Sequence, residues 1–435
     1  MKFRLQQPKR RKHMKYFTKS LTVTALVSGL LVGCGGSSSS SPAFSTKAQL
    51  GEALYSDVNL SNDRTQSCAT CHSLENGLAD NRDQAGHVSD APFAASLGDN
   101  GTSLGDRNAP TAGYASLSPE FTTEQTTRQR FNTNSGFRTY TGYLGGQFWD
   151  GRESNLVGQA KGPPTNPGEM AMPSRASVVD RIMENSDYVS AFERLYGADI
   201  FNDSAAPSPA AYDAMADSIA AFEETDLFAP FDSKYDRSLR GEYEYSVISK
   251  AIQGKALFFS QEFTNCSACH QLASQGSAQE AFTGFEYHNI GVPVNSNLRS
   301  VNGVQGPDVG LYKHLKDNLS VDDATQKGKF KVPTLRNVAV TAPYMHNGIF
   351  NELSTVIEFY QHAKNTAAGN LNPETNTAWG SAEVSENISD TELSSGTKDL
   401  TDAGNVEALE CFLLSLTDAR FEHLLDTQKV ADCGL

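Results

Sequence analysis

One helical pattern of apolar and polar positions occurs twice in the chain. Residues 47–56 read KAQLGEALYS and residues 250–260 read KAIQGKALFFS. In both copies a glycine, a charged residue, Ala, Leu and an aromatic residue follow in that order on a helical spacing. A segment that recurs in this way indicates an internal duplication, so the sequence predicts two related helical domains in tandem.

Apolar residues at helical spacing predict four further helices. The predicted helices cover residues 177–196, 210–222, 353–362 and 402–416. Asp402 stands where its side chain would cap the last of them. The expected fold class is therefore mainly α.

Polar stretches separate these helices. Residues 74–145 are rich in Gly, Asn, Asp, Ser and Thr, and residues 365–400 contain few apolar residues, so both predict long loops, the second as an excursion over the surface. The mixed segment 226–241 is the expected crossing between the domains. The sequence therefore predicts an N-terminal domain over residues 46–230 and a C-terminal domain over residues 231–435.

The first 33 residues predict a targeting segment that is not part of the fold. A basic region precedes an apolar run at 21–32, which is too short to span a bilayer. The run ends in Leu-Val-Gly-Cys, which resembles a bacterial lipoprotein signal, so residues 1–33 would be cleaved and Cys34 lipidated. Residues 34–45 would then be a flexible tether. An uncleaved anchor or an ordinary signal peptide is the alternative.

This reading of the N-terminus places the mature protein in the periplasm or on the cell surface, attached to a bacterial membrane by lipid alone. The full chain has a net charge of −15 at pH 7, and residues 1–33 carry eight Lys and Arg residues and no acidic residue. The mature chain is therefore more acidic still. So acidic a protein is not expected to bind nucleic acid.

Two short motifs, CATCH at 68–72 and CSACH at 266–270, follow the two repeated segments. Cys-x-x-Cys-His is the attachment signature of c-type haem. Two thiols three positions apart lie on one side of a helical turn, where each can add to a vinyl group, and the next residue, His, reaches the iron. The alternative is zinc or a disulfide at each Cys pair. The residues predicted to carry two covalent haems are Cys68, Cys71, His72, Cys266, Cys269 and His270.

Two cysteines, Cys411 and Cys433, are left over. The inferred compartment is oxidising, so a disulfide between them is one reading. Cys411 lies in the apolar run 408–416, so a buried free thiol is equally compatible with the sequence.

Four further motifs resemble the bacterial di-haem cytochrome c peroxidase and MauG superfamily. They are RNAPT at 107–111, FWDGR at 148–152, QAKGPPTNPGEM at 159–170 and VPTLRNVAVTAPYMHNG at 332–348. They occur in the family's order, and the resemblance extends over roughly residues 50–421. It implies two tandem cytochrome c-like haem domains and peroxide-dependent oxidation.

The resemblance places Gln159, Pro163 and Glu169 around the open face of the first haem. Cleavage of the peroxide O–O bond requires a proton to move between its oxygens, which is a task for the Glu169 carboxyl group. Gln159 would hydrogen-bond the substrate oxygen. Without the resemblance, Glu169 would be interpreted as a carboxylate at a helix start. Trp149 would pass electrons between the haems, and a buried structural Trp is the alternative.

A calcium site between the domains is also implied. The matching positions are Asn108, through its side-chain oxygen, and Thr341 and Pro343, through backbone carbonyls, which suit calcium. The alternative is a plain hydrogen-bonded cluster. His346 matches a family histidine near the haems, where it would have a supporting role.

The second axial ligand of the second haem is Met in the peroxidases and Tyr in MauG. Tyr360 stands at the matching position, and Met345 is the alternative ligand. His87 lies near the offset of a distal histidine that ligates the first iron in some family members. A solvent-exposed loop histidine is the alternative for His87.

Three functions are compatible with these residues. The first is a cytochrome c peroxidase that reduces hydrogen peroxide with electrons from a small c-type cytochrome or cupredoxin. The second is a MauG-like enzyme that oxidises side chains of a partner protein. The third is a di-haem electron carrier, against which Gln159 and Glu169 argue because a carrier needs no acid–base group. Family resemblance also implies a homodimer.

Overall fold

The computed structural model describes most of the chain beyond the targeting segment. The described residues are 43–80, 94–129, 139–202, 209–260, 262–272, 280–364, 369–393 and 400–435. The predicted lipidation site Cys34 and the predicted distal ligand His87 lie outside them. No helix in the described part has both the length and the apolar character needed to cross a bilayer.

The described residues form helices joined by long loops and short strand pairs. The helices are α1 (Lys47–Tyr55), α2 (Cys68–Cys71), α3 (Leu156–Ala160), α4 (Arg175–Met183), α5 (Ser186–Tyr196), α6 (Pro209–Glu223), α7 (Lys234–Leu239), α8 (Lys250–Phe259), α9 (Ser296–Asn302), α10 (Leu311–Leu319), α11 (Leu353–Lys364), α12 (Asp390–Leu393), α13 (Ala403–Leu414) and α14 (Thr427–Cys433). The strands are β1 (Thr126–Gln129), β2 (Thr139–Gly142), β3 (Tyr287–His288), β4 (Phe330–Lys331), β5 (Leu371–Asn372) and β6 (Thr377–Ala378). They form the antiparallel pairs β1–β2, β3–β4 and β5–β6.

The two copies of the repeated segment form equivalent helices with equivalent packing. Helix α1 lies against α6, and α8 lies against α13. A Cβ atom at Gly51 would come within 1.8 Å of the Ser218 carbonyl oxygen, and one at Gly254 within 1.7 Å of the Ala408 carbonyl oxygen. Glycine at this position therefore allows two helix backbones to touch in each half of the molecule.

Each half has its own apolar core. The first core includes Leu50 and Phe192, and the second includes Phe258 and Phe412. Burial of such side chains stabilises each half by about 1.5–3 kcal/mol per residue. The predicted fold class, mainly α with two tandem cytochrome c-like domains, is confirmed. Helix α7 lies within the predicted crossing 226–241.

The prediction of one helix over residues 177–196 is wrong. Helix α4 ends at Met183, and α5 begins at Ser186. Asn185 causes the break because its side-chain oxygen accepts a hydrogen bond from the Asp187 amide at 2.9 Å, which starts a new helix. The predicted cap of the last long helix is confirmed, since Asp402 Oδ1 accepts from the Asn405 amide at 3.0 Å.

The two segments predicted as long loops contain some regular structure. Residues 74–145 include the β1–β2 pair, and residues 365–400 include β5, β6 and α12. The second segment is also not a simple surface excursion, because Glu383 and Val384 line an internal cavity. The alternation of a few apolar residues in these stretches was too short to predict strands.

A disulfide joins Cys411 of α13 to Cys433 of α14. Of the two alternatives left open by the sequence, the structure contains the bridged form. It ties the C-terminal helix to the second half of the molecule, and a cross-link of this kind typically stabilises a fold by about 2–4 kcal/mol.

A buried ion pair lies at the start of the second half. Arg336 donates to both carboxylate oxygens of Asp236, at 2.5 and 2.8 Å, and its Nε donates to the Glu280 carbonyl oxygen at 2.7 Å. Arg336 and Asp236 are both almost fully buried. Such a forked arrangement compensates for part of the cost of removing two charges from water.

Candidate active site

The first Cys-x-x-Cys-His motif is a single helical turn. The His72 amide donates to the Cys68 carbonyl at 2.9 Å, and the Ser67 amide donates to Thr70 Oγ1 at 2.9 Å. His72 Nδ1 lies 3.4 Å from the Leu78 carbonyl oxygen. When Nδ1 carries the proton and donates to this carbonyl, Nε2 is left free as a metal ligand.

The second motif repeats this arrangement. The His270 amide donates to the Cys266 carbonyl at 3.1 Å, and His270 Nδ1 lies 3.1 Å from the Phe282 carbonyl oxygen. Burial lowers the pKa of His270 to about 4, so the ring is neutral at pH 7. Neutral imidazole is the form that binds iron.

The thiols of both motifs are available for covalent attachment. Cys68, Cys71, Cys266 and Cys269 are not disulfide-bonded. In the described part of the chain, no group of three or more His, Cys, Asp or Glu side chains is arranged to hold a metal ion. The donor set at each motif, two thiols and one neutral imidazole, fits a c-type haem.

The second motif borders a cavity of about 230 Å³. Cys266, Cys269 and His270 line it, together with both candidates for the second axial ligand, Tyr360 and Met345. Apolar side chains from α11 and α13 form much of the remaining wall; among them are Leu353, Ile357 and Leu413. An apolar cavity with two thiols and a neutral imidazole on its wall is the environment in which haem is bound in proteins.

Burial raises the pKa of the Tyr360 phenol well above its usual value. The phenol is therefore neutral in the protein alone. A bound ferric iron would reverse this preference, because a nearby metal charge favours the deprotonated ligand.

Trp149 lies at another part of the wall of the same cavity. Its indole Nε1 donates to the Asn108 carbonyl at 2.9 Å, and its own carbonyl accepts from the Lys331 amide at 2.8 Å. The adjacent Asp150 accepts hydrogen bonds from Arg107 at 2.7 Å and Arg152 at 2.9 Å. Backbone groups therefore fix both the indole and the carbonyl of Trp149, and two arginines fix the adjacent Asp150.

The residues predicted to surround the open face of the first haem lie on one tightly closed loop. Gln159 is near the end of α3, and the Gly162 amide donates to its carbonyl at 3.0 Å. The Met170 amide donates to the Pro163 carbonyl at 3.3 Å, which brings the two ends of the loop together. In the described part of the chain, the Gln159 side-chain amide has no hydrogen-bond partner, which leaves it able to bind a ligand.

Glu169 and Met170 join this loop to the chain at Asp99 and Asn62. The Glu169 carbonyl accepts from the Asp99 amide at 2.7 Å, and the next carbonyl, of Met170, accepts from the Asn62 amide at 2.9 Å. Burial, with smaller contributions from the charges of Glu223 and Glu169, raises the pKa of the Cys68 thiol. The Glu169 carboxylate is therefore close enough to the first motif to act on it electrostatically.

The surroundings of the Glu169 carboxyl group suit proton transfer. Burial raises its pKa, while the charge of Arg152 and a hydrogen bond from Asn166 Nδ2, 2.9 Å from Oε1, oppose that shift. The Arg152 guanidinium in turn lies over the Phe148 ring, 3.5 Å from its centroid. A carboxyl group with a raised pKa and a fixed orientation is suited to accept a proton and return it.

The three predicted calcium ligands come together in a second, small pocket. Asn108, Thr341 and Pro343 line it, together with Asp80 and Ser96. Within the described residues the buried Ser96 Oγ has no hydrogen-bond partner. An oxygen-lined pocket with an unsatisfied hydroxyl group fits a hard cation such as calcium.

His346 and His288 both line the haem cavity. The His346 ring stacks on Phe330 with centroids 3.7 Å apart, and its Nε2 lies 3.8 Å from Glu383 Oε2. His288 Nε2 lies 3.1 Å from Glu286 Oε2. The predicted supporting position of His346 therefore lies beside the second motif.

The pairing of the charged groups around Trp149 could not be predicted from the sequence. Arg107 joins Asp150 to Asp308, at 2.7 and 2.6 Å. Lys331 was also missed, although it lines the haem cavity. Its only signal in the sequence is a lone charge within the run Phe-Lys-Val-Pro.

Known proteins resemble this chain over most of its length. A family model for di-haem cytochrome c peroxidase matches residues 45–244. The chain is 42% identical to the methylamine utilization protein MauG of Paracoccus denitrificans (strain Pd 1222) over 404 residues, which cover 92% of this chain and 96% of that protein. It is 31% identical to the cytochrome c peroxidase Ccp of Escherichia coli (strain K12) over 307 residues, 71% of this chain and 51% of that protein.

A solved structure gives the same result for the fold. The diheme peroxidase BthA from Burkholderia thailandensis E264 superposes on this chain with a TM-score of 0.73 and 26% sequence identity. The superposition covers 89% of this chain and 90% of that one. The likeness therefore includes both halves of the molecule.

Proposed function

The chain belongs to the di-haem cytochrome c peroxidase and MauG family, and we propose that it reduces hydrogen peroxide with electrons from an external donor protein. The family implies two c-type haems, which the two motifs would hold. The observation that carries the proposal is Glu169, a carboxyl group with a raised pKa on a closed loop, whose charge acts on Cys68 of the first motif. An electron carrier has no use for such a group.

A haem at the first motif, when bound, supplies the redox chemistry that splits the peroxide O–O bond. The protein would supply the proton movement. Glu169 would take the proton from the near peroxide oxygen and return it to the departing one, so that water leaves. The free amide of Gln159 would hydrogen-bond the peroxide, and Pro163 would keep the loop in place.

Electrons would reach this site from the second motif through Trp149. Its hydrogen bonds to Asn108 and Lys331 keep the indole at the wall of the cavity that the second motif borders. A fixed aromatic ring needs little rearrangement when its charge changes. The donor that fits this role is a small c-type cytochrome or a cupredoxin, which delivers one electron at a time.

Oxidation of side chains on a partner protein, as in the MauG branch of the family, is a second candidate. Tyr360 favours this candidate. It lines the cavity that the second motif borders, and it stands at the position where the family resemblance implies a Tyr ligand in MauG. The 42% identity to the MauG of Paracoccus denitrificans points the same way.

The proposed calcium site rests on one pocket, and the other remaining features rest on the sequence alone. The pocket of Asn108, Thr341 and Pro343 would hold calcium, since its lining includes the unsatisfied Ser96 hydroxyl group. Lipidation of Cys34, a periplasmic or cell-surface location, distal ligation by His87, a homodimer and the domain boundary at residue 230 stay predictions.

The test is to replace Glu169 by Gln in the di-haem protein. The variant keeps the shape of the side chain but cannot accept a proton, so kcat/KM for peroxide should fall about 10²–10⁴-fold with reduced cytochrome c as donor. The matched control is Glu184→Gln, which removes an exposed carboxylate paired only with Arg64. Turnover by Glu169→Gln equal to that of the control, at equal haem content, would refute the role of Glu169.

The same assay separates the two candidates. A peroxidase should turn over peroxide steadily while reduced cytochrome is present. A MauG-like enzyme should show little turnover with the cytochrome, and an oxidised form of it should persist after one equivalent of peroxide until a partner protein is added.

A further inference from the structure

Lys331 is a partly buried residue on the wall of the cavity that the second motif borders, beside Trp149. It belongs to β4, which pairs with β3 so that Lys331 is opposite Tyr287. Its backbone amide donates to the Trp149 carbonyl at 2.8 Å, and its side-chain Nζ donates to the Gly146 carbonyl. These contacts fix the position of the ammonium group next to the proposed electron path.

The ammonium group lacks a counter-ion in the described part of the chain. No carboxylate there lies within 4.0 Å of Lys331 Nζ, and the Gly146 carbonyl satisfies only one of its three donors. Burial lowers the pKa of Lys331 to about 7, and only the charge of Asp150 opposes this shift. A charged lysine that faces a largely apolar cavity without a counter-ion is costly, so the missing partner is expected to be a ligand in the cavity.

Nearby acidic groups are already engaged by arginines. Asp150 and Asp308 are both paired with Arg107, and Glu383 is paired with Arg299 at 3.1 Å. His288 is likewise engaged, by Glu286. The ligand that fits Lys331 is therefore expected to bring its own negative charge into this mostly apolar cavity.

We propose that Lys331 binds a propionate carboxylate of the second haem and holds that haem's reduction potential up. The cysteine motif fixes the vinyl edge of the porphyrin, and the carboxylates belong to another edge, for which Lys331 is a cationic partner on the cavity wall. The inference rests on a haem at the second motif and not on peroxide chemistry. Lys331 acts here as a positioning residue.

The experiment is an optical redox titration of the di-haem protein and of three Lys331 variants. Loss of a positive charge beside the haem favours its oxidised form. Lys331→Met should therefore shift the redox equilibrium of the second haem about tenfold toward the oxidised form, equivalent to a potential about 59 mV lower. Lys331→Arg should stay near the wild-type value, and the first haem should not change in either variant.

Two further variants keep the result decisive. Lys329→Met removes a lysine two positions away that does not line the cavity and bonds Gln326 Oε1 instead, and it should leave both potentials unchanged. Lys331→Gln retains a donor for the Gly146 carbonyl and replaces the Met variant if that one fails to fold. The proposal is overturned if Lys331→Gln keeps the wild-type potential, or if Lys331→Arg shifts it as much as Lys331→Gln does.

Discussion

The two haem motifs are alike on the side that carries the attachment residues and unlike on the other side. In both, the histidine amide closes a turn onto the first cysteine, at 2.9 and 3.1 Å, and the imidazole Nδ1 faces a backbone carbonyl, at 3.4 and 3.1 Å. The charge of Glu169, on a polar loop, acts on Cys68 of the first motif, whereas the second motif borders a mostly apolar cavity lined by Tyr360. The two copies thus share the residues predicted to attach haem and differ in the residues around them.

Glu169 and Tyr360 also belong to different kinds of structural element. Glu169 belongs to a loop that backbone hydrogen bonds to Asn62 and Asp99 hold in place. Tyr360 belongs to α11, whose neighbouring residues Ile357 and Phe359 are buried in the second half. A group that moves protons can be carried by a loop, while a ligand that sets a potential benefits from a rigid helix.

The largest expected effect comes from making the second site resemble that of the peroxidases. With Tyr360 as the iron ligand that the family resemblance implies, Tyr360→Met would replace a phenolate, which stabilises ferric iron, with a neutral thioether, which stabilises ferrous iron. The reduction potential of the second haem should rise on the order of 0.2 V, within the roughly 0.8 V that axial ligands can span. A redox titration followed optically measures this shift, and the first haem should not change.

A neighbouring tyrosine provides the control for this prediction. Tyr344 lines the same cavity, but its hydroxyl group donates to the Val338 carbonyl at 3.0 Å, so Tyr344→Phe should not change the potential by a comparable amount. If Tyr360→Met leaves the potential unchanged while Met345→Leu shifts it, the ligand is Met345.

A smaller effect is expected from the buried charge of the second half. Arg336→Met would leave Asp236 buried without its partner, at a cost of about 3–5 kcal/mol in the free energy of unfolding. In the first half, the exposed pair of Arg64 and Glu184 offers a matched control, and Arg64→Met should cost less than about 1 kcal/mol. Denaturant titrations of both variants measure the difference.

The double variant Arg336→Met with Asp236→Leu separates the ion pair from packing. It removes both charges, so it should recover most of the stability that the single variant loses. If the single variant is as stable as the wild type, the second half does not depend on this pair.

The features that the sequence predicted well are local ones. The Cys-x-x-Cys-His turns, the repeated helix and the Asp402 cap each depend on residues a few positions apart. The break at Asn185 is also local, but the apolar spacing continues across it, so a pattern of hydrophobicity alone misses it. Family resemblance, and not spacing, pointed to Trp149 and Glu169.

The rest depends on contacts between distant residues. Trp149 reaches its position because its indole bonds to Asn108 and its carbonyl bonds to Lys331, and the Asn108 amide donates to the His346 carbonyl at 2.8 Å. No periodic pattern encodes such pairings. The burial of Lys331 likewise follows from the pairing of β4 with β3, two strands too short to predict.

The smallest effect concerns the feature that the two halves share most closely. Gly51→Ala and Gly254→Ala each place a methyl group against a helix carbonyl, so each should lower the free energy of unfolding by about 1–3 kcal/mol. Glu52→Ala, at an exposed position of α1, should stay within about 0.5 kcal/mol of the wild type. Equal losses at the two glycines would mean that both halves still fold under the packing constraint of their common ancestor. If Gly254→Ala leaves the free energy of unfolding unchanged while Gly51→Ala lowers it, the second half relies on other contacts, such as its disulfide and its buried ion pair. Divergence would then have reached the scaffold as well as the haem surroundings.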